Sequence, residues 1–230
     1  MQRAEEAVRE SIWAVKLLGA IFDLDGTILD SMFIWDRIGE DYLLRRGIAP
    51  EKGLSEKLKA MSLLDSANYY RENYGILDDV ETIAEDINDM LFHFYAFEAE
   101  LKSGVFQMLE HLRSAGVKMC IATATDRALV EVALRRIGIS HYFGKILTCT
   151  EVGFGKSSPE IYNSALEYLD LDIEEVLVFE DAIHAVETAK NSGFKVVGVY
   201  DESSIDDQEE IKRLSDYYLK SFTERSFQYD

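Results

Sequence analysis

Cysteine is scarce in this sequence. The 230 residues include two, Cys120 and Cys149, both inside apolar strand-like runs, "VKMCIAT" and "KILTCT". Without a C-x-x-C pair or a Cys/His cluster the chain offers no candidate structural zinc site, and both thiols read as small buried core residues. Basic residues are also few: 24 Lys and Arg stand against 43 Asp and Glu, a formal charge of −19. Binding nucleic-acid phosphates draws on clustered cations, so no nucleic-acid partner is expected. No apolar stretch exceeds strand length, far short of the ~20 residues a membrane helix needs, so no membrane association is expected either. The first residues, "MQRAEEAVRESIW", mix both charges and lack an apolar h-region. They read as a short amphipathic helix over 1–13 and not as a secretory signal, and the expected compartment is the cytoplasm. Proline occurs twice, and no repeat or low-complexity linker interrupts the chain, so domain boundaries rest on periodicity alone.

What is present is a core-forming composition, 47% hydrophobic, enough for one large domain or a domain with an insert. After residue 100 strands and helices alternate. "GVFQMLEHLRSAG" has helical spacing at Val105, Leu109 and Leu112, "VKMCIAT" is a continuous apolar strand, and "DRALVEVALRRIG" is a helix between Asp126 as N-cap and Gly138 as stop. "KILTCT" is a strand, "SPEIYNSALEYL" a helix capped by Ser158, "EVLVFED" a strand, "AIHAVETAKNSG" a helix and "FKVVGVYD" a strand; "DDQEEIKRLS" and a short "YYL" strand follow. With the early run "VKLLGAIF" this makes about five principal strands. Strands apolar throughout and separated by helices imply a parallel sheet covered on both faces. The interval 32–99 breaks the pattern. It reads as helices only, "FIWDRIGEDYLLRRG", "SEKLKAMS", "DSANYYRENYG" and "VETIAEDINDMLFHFYAF", so 1–31 and 100–230 form a core and 32–99 a helical insert.

The first strand ends unusually, in "FDLDGTILDS" at residues 22–31. Strand residues i and i+2 share a side, which predicts that Asp23 and Asp25 lie close together. Burying two unpaired carboxylates is costly, so a cation or a proton is expected between them. In open parallel sheets ligands bind at the carboxyl ends of strands. That edge also collects Thr123, Glu180 and Asp181, and Lys156 follows in "GFGKSSP". The set has a chemical reading. Asp23 can attack an electrophile, and Asp25 can pass a proton to a leaving oxygen and later withdraw one from water. Glu180 and Asp181 are hard oxygen ligands suited to Mg²⁺, while Thr123 and Lys156 can hold phosphoryl oxygens.

"FDLDGTILDS" resembles the first motif, D-x-D-G-T, of the haloacid dehalogenase superfamily, and Thr123, Lys156 and "VFED" at 178–181 follow in that family's order. The resemblance spans about 17–220. It implies an α/β fold with a Rossmann-like parallel sheet and Mg²⁺-dependent phosphoryl transfer through an aspartyl-phosphate. Carried over by position, Asp23 would be nucleophile and metal ligand, and Asp25 the acid/base with its backbone carbonyl on the metal. Thr123 and Lys156 would bind the phosphoryl group, and Glu180 and Asp181 would complete the Mg²⁺ site. The insert is similar to the small helical cap of the β-phosphoglucomutase and phosphoglycolate phosphatase group.

The chain departs from that pattern in places. Ser157 stands where many relatives have proline after the lysine, and "EDAIHA" puts Ala182 and Ala185 where E-D-S-x-x-G is common. Trp35 replaces a histidine, ten residues after the second aspartate, that helps control transfer to sugars in the mutases. That favours hydrolysis of a small phosphorylated metabolite over a mutase; a non-catalytic phosphate-binding module is a third reading. "GFGKSS" is not a P-loop, because the required first glycine is Thr150. His93, His111, His141 and His184 read as structural, Arg127 as an exposed helix-start residue and "FHFYAF" as packing. Arg37, Arg45 and Arg71 are candidates for substrate selection. The sequence allows a monomer or a weak homodimer.

Overall fold

The computed structural model describes residues 17–58, 61 and 63–223; the helix expected over 1–13 lies outside them. In chain order the elements are β1 (Gly19–Phe22), β2 (Leu29–Asp30), α1 (Met32–Arg45), α2 (Leu54–Leu58), α3 (Leu63–Tyr74), α4 (Val80–Phe97) and β3 (Glu100–Leu101). They continue with α5 (Val105–Ser114), β4 (Lys118–Thr123), α6 (Arg127–Ile137), β5 (Lys145–Thr148), α7 (Cys149–Val152) and α8 (Glu160–Leu169). The last are β6 (Val176–Glu180), α9 (Ile183–Asn191), β7 (Lys195–Val199), α10 (Gln208–Leu214) and β8 (Tyr217–Leu219). Two compact units result. One runs to Asp30 and resumes at Glu100; the other is Ser31–Ala99.

The first unit is a six-stranded sheet in the order β5-β4-β1-β6-β7-β8, parallel throughout. This is the order of a Rossmann-like sheet, in which the chain builds outward on one side of β1 and then on the other. The strands are apolar on both faces because both faces are covered. One face packs Ile21, Cys120, Val178 and Val196 against Ile161, Ala165, Val186 and Ile211 of α8, α9 and α10. On the other, Phe22 stacks on Phe179 with ring centroids 4.4 Å apart. Gly138 ends α6 in the left-handed conformation (φ 85°), the backbone that glycine adopts most readily. At Gly104 a Cβ would lie 2.6 Å from the Phe222 carbonyl carbon, so only glycine fits.

Two local readings need correction, and one strand pair had no signal. Cys149 does not continue β5 but opens α7, because Thr148 Oγ1 accepts the Glu151 N–H (3.3 Å) and caps a helix there; Cys149 is half-buried and Cys120 fully buried. Pro159, not Ser158, takes the N-cap position of α8. The pattern also hid the antiparallel pair β2–β3, in which Leu29 faces Leu101 and Asp30 faces Glu100; two residues are too few to show a period.

The second unit is helical. Ile83, Ile87, Leu91 and Phe94 on the amphipathic α4 are buried, as are Tyr42 and Leu43 of α1 and Tyr70 of α3. Asp79 caps α4 by accepting the Thr82 N–H at 2.7 Å. Gly39 is required by crowding, since a Cβ there would meet Leu58 Cδ1 at 2.3 Å and Tyr70 Oη at 2.5 Å. Among the described residues no helix is long and apolar enough to cross a membrane.

Candidate active site

β1 occupies the middle of the sheet, and its ladder continues one residue past the strand, where the Asp23 N–H donates to the Phe179 carbonyl (3.0 Å). Phe22 pairs with Phe179 in the β1–β6 register. Asp23 is therefore set beside Glu180, and Asp181 follows directly. Carboxylate oxygens of Asp23, Glu180 and Asp181 lie within 4.8 Å of one another, and all three residues are buried. The carboxylate neighbours of Asp23 are thus the last residue of β6 and the one after it. The Asp25 carboxylate, expected beside Asp23 from i, i+2 spacing, is not in this group; its Oδ2 accepts a hydrogen bond from Thr125 Oγ1 at 2.6 Å. The chain leaves the β1 ladder after Asp23 for a tight loop through Gly26 (φ 78°).

Lys156 supplies the positive charge. Its buried ammonium donates to Asp23 Oδ1 and, at 2.6 Å, to Glu180 Oε1, which also accepts from Tyr162 Oη at 2.8 Å. Thr27 Oγ1 donates to Asp181 Oδ1 at 2.9 Å. Thr123 ends β4 with its hydroxyl oxygen accepting the Thr125 N–H at 3.0 Å. The structure brings Asp23, Lys156, Glu180 and Asp181 into one cluster, with Asp25 and Thr123 linked to each other through Thr125.

Burial dominates the electrostatics. It pushes the Asp23 carboxyl up to about 6, with the Lys156 charge opposing and the Glu180 charge adding to the rise. Asp181 is held well above its ordinary value by burial and then by the charges of Asp23 and Glu180. Burial works to lower the Lys156 ammonium, but the charges and hydrogen bonds of Asp23 and Glu180 override it and hold the group protonated. The His184 side chain on α9 is exposed, yet desolvation by its surroundings and then the Lys156 charge lower it.

The donor set fits a hard divalent cation. Three carboxylates face a single ammonium, and Glu180 Oε2 is buried without a hydrogen-bond partner. A small doubly charged ion with oxygen preference answers both, as Mg²⁺ does.

Thr27, Thr125 and Tyr162 were not singled out by sequence. Thr27 belongs to the D-x-D-G-T motif and Thr125 to the "TAT" that ends β4, so spacing held a signal for both. Tyr162 was hidden among the apolar residues on the buried face of α8. Lys102 carried no signal at all. Its ammonium is largely buried and donates to the Gly26 carbonyl, to the Tyr200 carbonyl at 2.6 Å and to Asp201 Oδ2 at 2.7 Å, pinning the loop after Asp25. Arg127 is tied down, not free: it bonds Glu151 and donates to the Ile146 carbonyl at 2.8 Å. In the helical unit Arg37 pairs with Asp41 at 3.4 Å, and Arg45 and Arg71 are exposed.

Comparison with known proteins agrees with this arrangement. The chain is 28% identical over 184 residues to a phosphorylated carbohydrates phosphatase of Thermotoga maritima, covering 78% of this chain and 83% of that one. It is 30% identical over 192 residues to (DL)-glycerol-3-phosphatase 2 of Arabidopsis thaliana, covering 79% and 78%. The fold matches a candidate beta-phosphoglucomutase structure from Thermotoga maritima with a TM-score of 0.77 at 24% identity, over 92% of this chain and 97% of that one. The family model for haloacid dehalogenase-like hydrolases matches residues 20–199. That span runs from β1 to the end of β7 and takes in every strand that borders the carboxylate cluster; the chain belongs to the haloacid dehalogenase-like hydrolase family.

Proposed function

We propose that this hydrolase is a Mg²⁺-dependent phosphatase of small phosphorylated metabolites that works through an aspartyl-phosphate on Asp23. The observation that carries the reading is the buried group Asp23, Glu180 and Asp181, with the Lys156 ammonium paired to two of them. The carboxylates of Asp23, Glu180 and Asp181 and the backbone carbonyl of Asp25 would hold the metal. When bound, the metal neutralises negative charge on the substrate phosphoryl group. An Asp23 oxygen attacks phosphorus and the bond from phosphorus to the ester oxygen breaks, while Asp25 gives its proton to the departing oxygen. Lys156 and the Thr123 hydroxyl hold the phosphoryl oxygens as charge shifts among them. Water then attacks the same phosphorus and gives a proton to Asp25. The bond to Asp23 breaks, releasing inorganic phosphate and restoring both carboxyl groups. The two phosphatases named above act, by their names, on phosphorylated carbohydrates and glycerol phosphate, which supports substrates of that size for this chain.

The test is phosphate release from a panel of sugar, polyol, glycolate and nucleoside phosphates, with and without Mg²⁺, alongside Asp23→Asn protein. Release that needs Mg²⁺ and vanishes in the variant is the expected result. Conversion of β-glucose 1-phosphate to glucose 6-phosphate with a bisphosphate primer, and silence elsewhere, would replace hydrolysis by a mutase. Silence in both would leave a phosphate-binding module.

A further inference from the structure

We propose that Thr125 is a positioning residue, which holds the Asp25 carboxyl for its proton transfers while its backbone fixes the neighbouring Thr123 hydroxyl. The proposal rests on the phosphatase reading above. Thr125 is buried, and its Oγ1 donates to Asp25 Oδ2 at 2.6 Å across a sequence separation of 100 residues. A carboxyl group turns freely about its last bond unless one oxygen is tethered. This hydrogen bond tethers Asp25 Oδ2 and so constrains the line along which its proton travels. The Thr125 N–H, at the same time, donates to Thr123 Oγ1 at 3.0 Å. With its oxygen engaged from that side, Thr123 keeps its hydroxyl proton for a phosphoryl oxygen. The tripeptide "TAT" at 123–125 thus divides its hydroxyls between two tasks: one faces the phosphoryl group and the other serves the acid/base.

The two tasks separate experimentally. A proton from Asp25 matters when the leaving oxygen is basic and matters little when it departs readily as an anion. Phenyl phosphate and p-nitrophenyl phosphate present the same ring with a poor and a good leaving group. kcat/KM reports the steps through departure of that group. Thr125→Val keeps the shape and the backbone N–H but removes the hydroxyl; Thr125→Ser keeps the hydroxyl.

In Thr125→Val, kcat/KM is expected to fall by about 10-fold or more on phenyl phosphate, a fraction of the usual acid/base contribution, and to change by less than about 2-fold on p-nitrophenyl phosphate. Inhibition by inorganic phosphate should be unchanged, because Thr123 and Lys156 are untouched. Thr125→Ser should restore the phenyl ester to within about 3-fold of wild type. Equal losses on both esters, loss of phosphate inhibition, or no rescue by serine would overturn the proposal and reduce Thr125 to packing. If wild-type protein cleaves neither ester nor anything in the metabolite panel, the phosphatase reading itself fails and this inference falls with it.

Discussion

The two units bury different things. In Ser31–Ala99 the interior is apolar: Tyr42, Tyr70, Ile83, Ile87, Leu91 and Phe94 fill it, and Ser31 and Ser66 are its buried polar residues among those described. Its ion pairs, Arg46 with Asp78 and Asp86, Lys57 with Glu51 and Arg37 with Asp41, have side chains 28–63% exposed. In the sheet unit Asp23, Asp25, Lys156, Glu180, Asp181 and Asp201 are all buried. Surface pairs cost little to form and contribute little, about 0–1 kcal/mol. Buried charges are expensive and persist only when hydrogen-bonded or paired. The sheet unit therefore carries a destabilising load at the strand ends, which in an enzyme marks the place where chemistry is done. Among the described residues the helical unit buries no charged side chain.

The sharpest way to break this contrast is Asp23→Asn. It should cut turnover by roughly 10³-fold or more, since the proposed mechanism loses its nucleophile, yet raise the melting temperature of metal-free protein near neutral pH. Asp23 is raised from an ordinary 3.8 to about 6. A group raised in the folded state contributes stability that is fully present below its unfolded value and is lost as pH rises through its folded value. The stability advantage of the asparagine variant should thus be absent near pH 4, grow through pH 6 and reach about 3 kcal/mol above it. Added Mg²⁺ should stabilise wild type at pH 7.5 and do so less at pH 5. A variant that melts below wild type at pH 7.5 without metal would mean that the buried charge holds the fold together.

Lys102→Met tests a buried pair of the opposite kind, one with every proton placed. Removing the ammonium strands Asp201 and should cost about 3 kcal/mol, read as a lower denaturation midpoint. In the helical unit Gly39→Ala should cost about 1–3 kcal/mol by overpacking against Leu58 and Tyr70. Arg46→Met should change stability by less than about 1 kcal/mol. A larger loss at Arg46 than at Lys102 would invert the comparison.

Much of this was legible in the chain. Runs such as "GAIF", "KMCIAT" and "VLVFE" are apolar on both faces, so a covered parallel sheet follows from them, and the run "VETIAEDINDMLFHFYAF" reads as the helix found at Val80–Phe97. The resemblance named Asp23, Lys156, Glu180 and Asp181, which the structure brings into one cluster. Contacts that close across long sequence separations were not legible. Glu180 becomes the neighbour of Asp23 only through the β1–β6 register, and Thr125 reaches Asp25, and Lys102 reaches Gly26 and Asp201, only once the strands are side by side. Cys149 was misplaced because an apolar run does not reveal where a threonine will cap.

The central claim is that Asp23 accepts the phosphoryl group. Protein mixed with Mg²⁺ and a phosphate ester that it hydrolyses, quenched in acid within one turnover and reduced with borohydride, should yield homoserine at position 23, because borohydride reduces an acyl phosphate to the alcohol. Homoserine at position 23 in wild type, lost when substrate or Mg²⁺ is withheld, is the predicted result. Rapid hydrolysis with residue 23 unmodified throughout the first turnover, or with another carboxylate reduced in its place, would contradict the account.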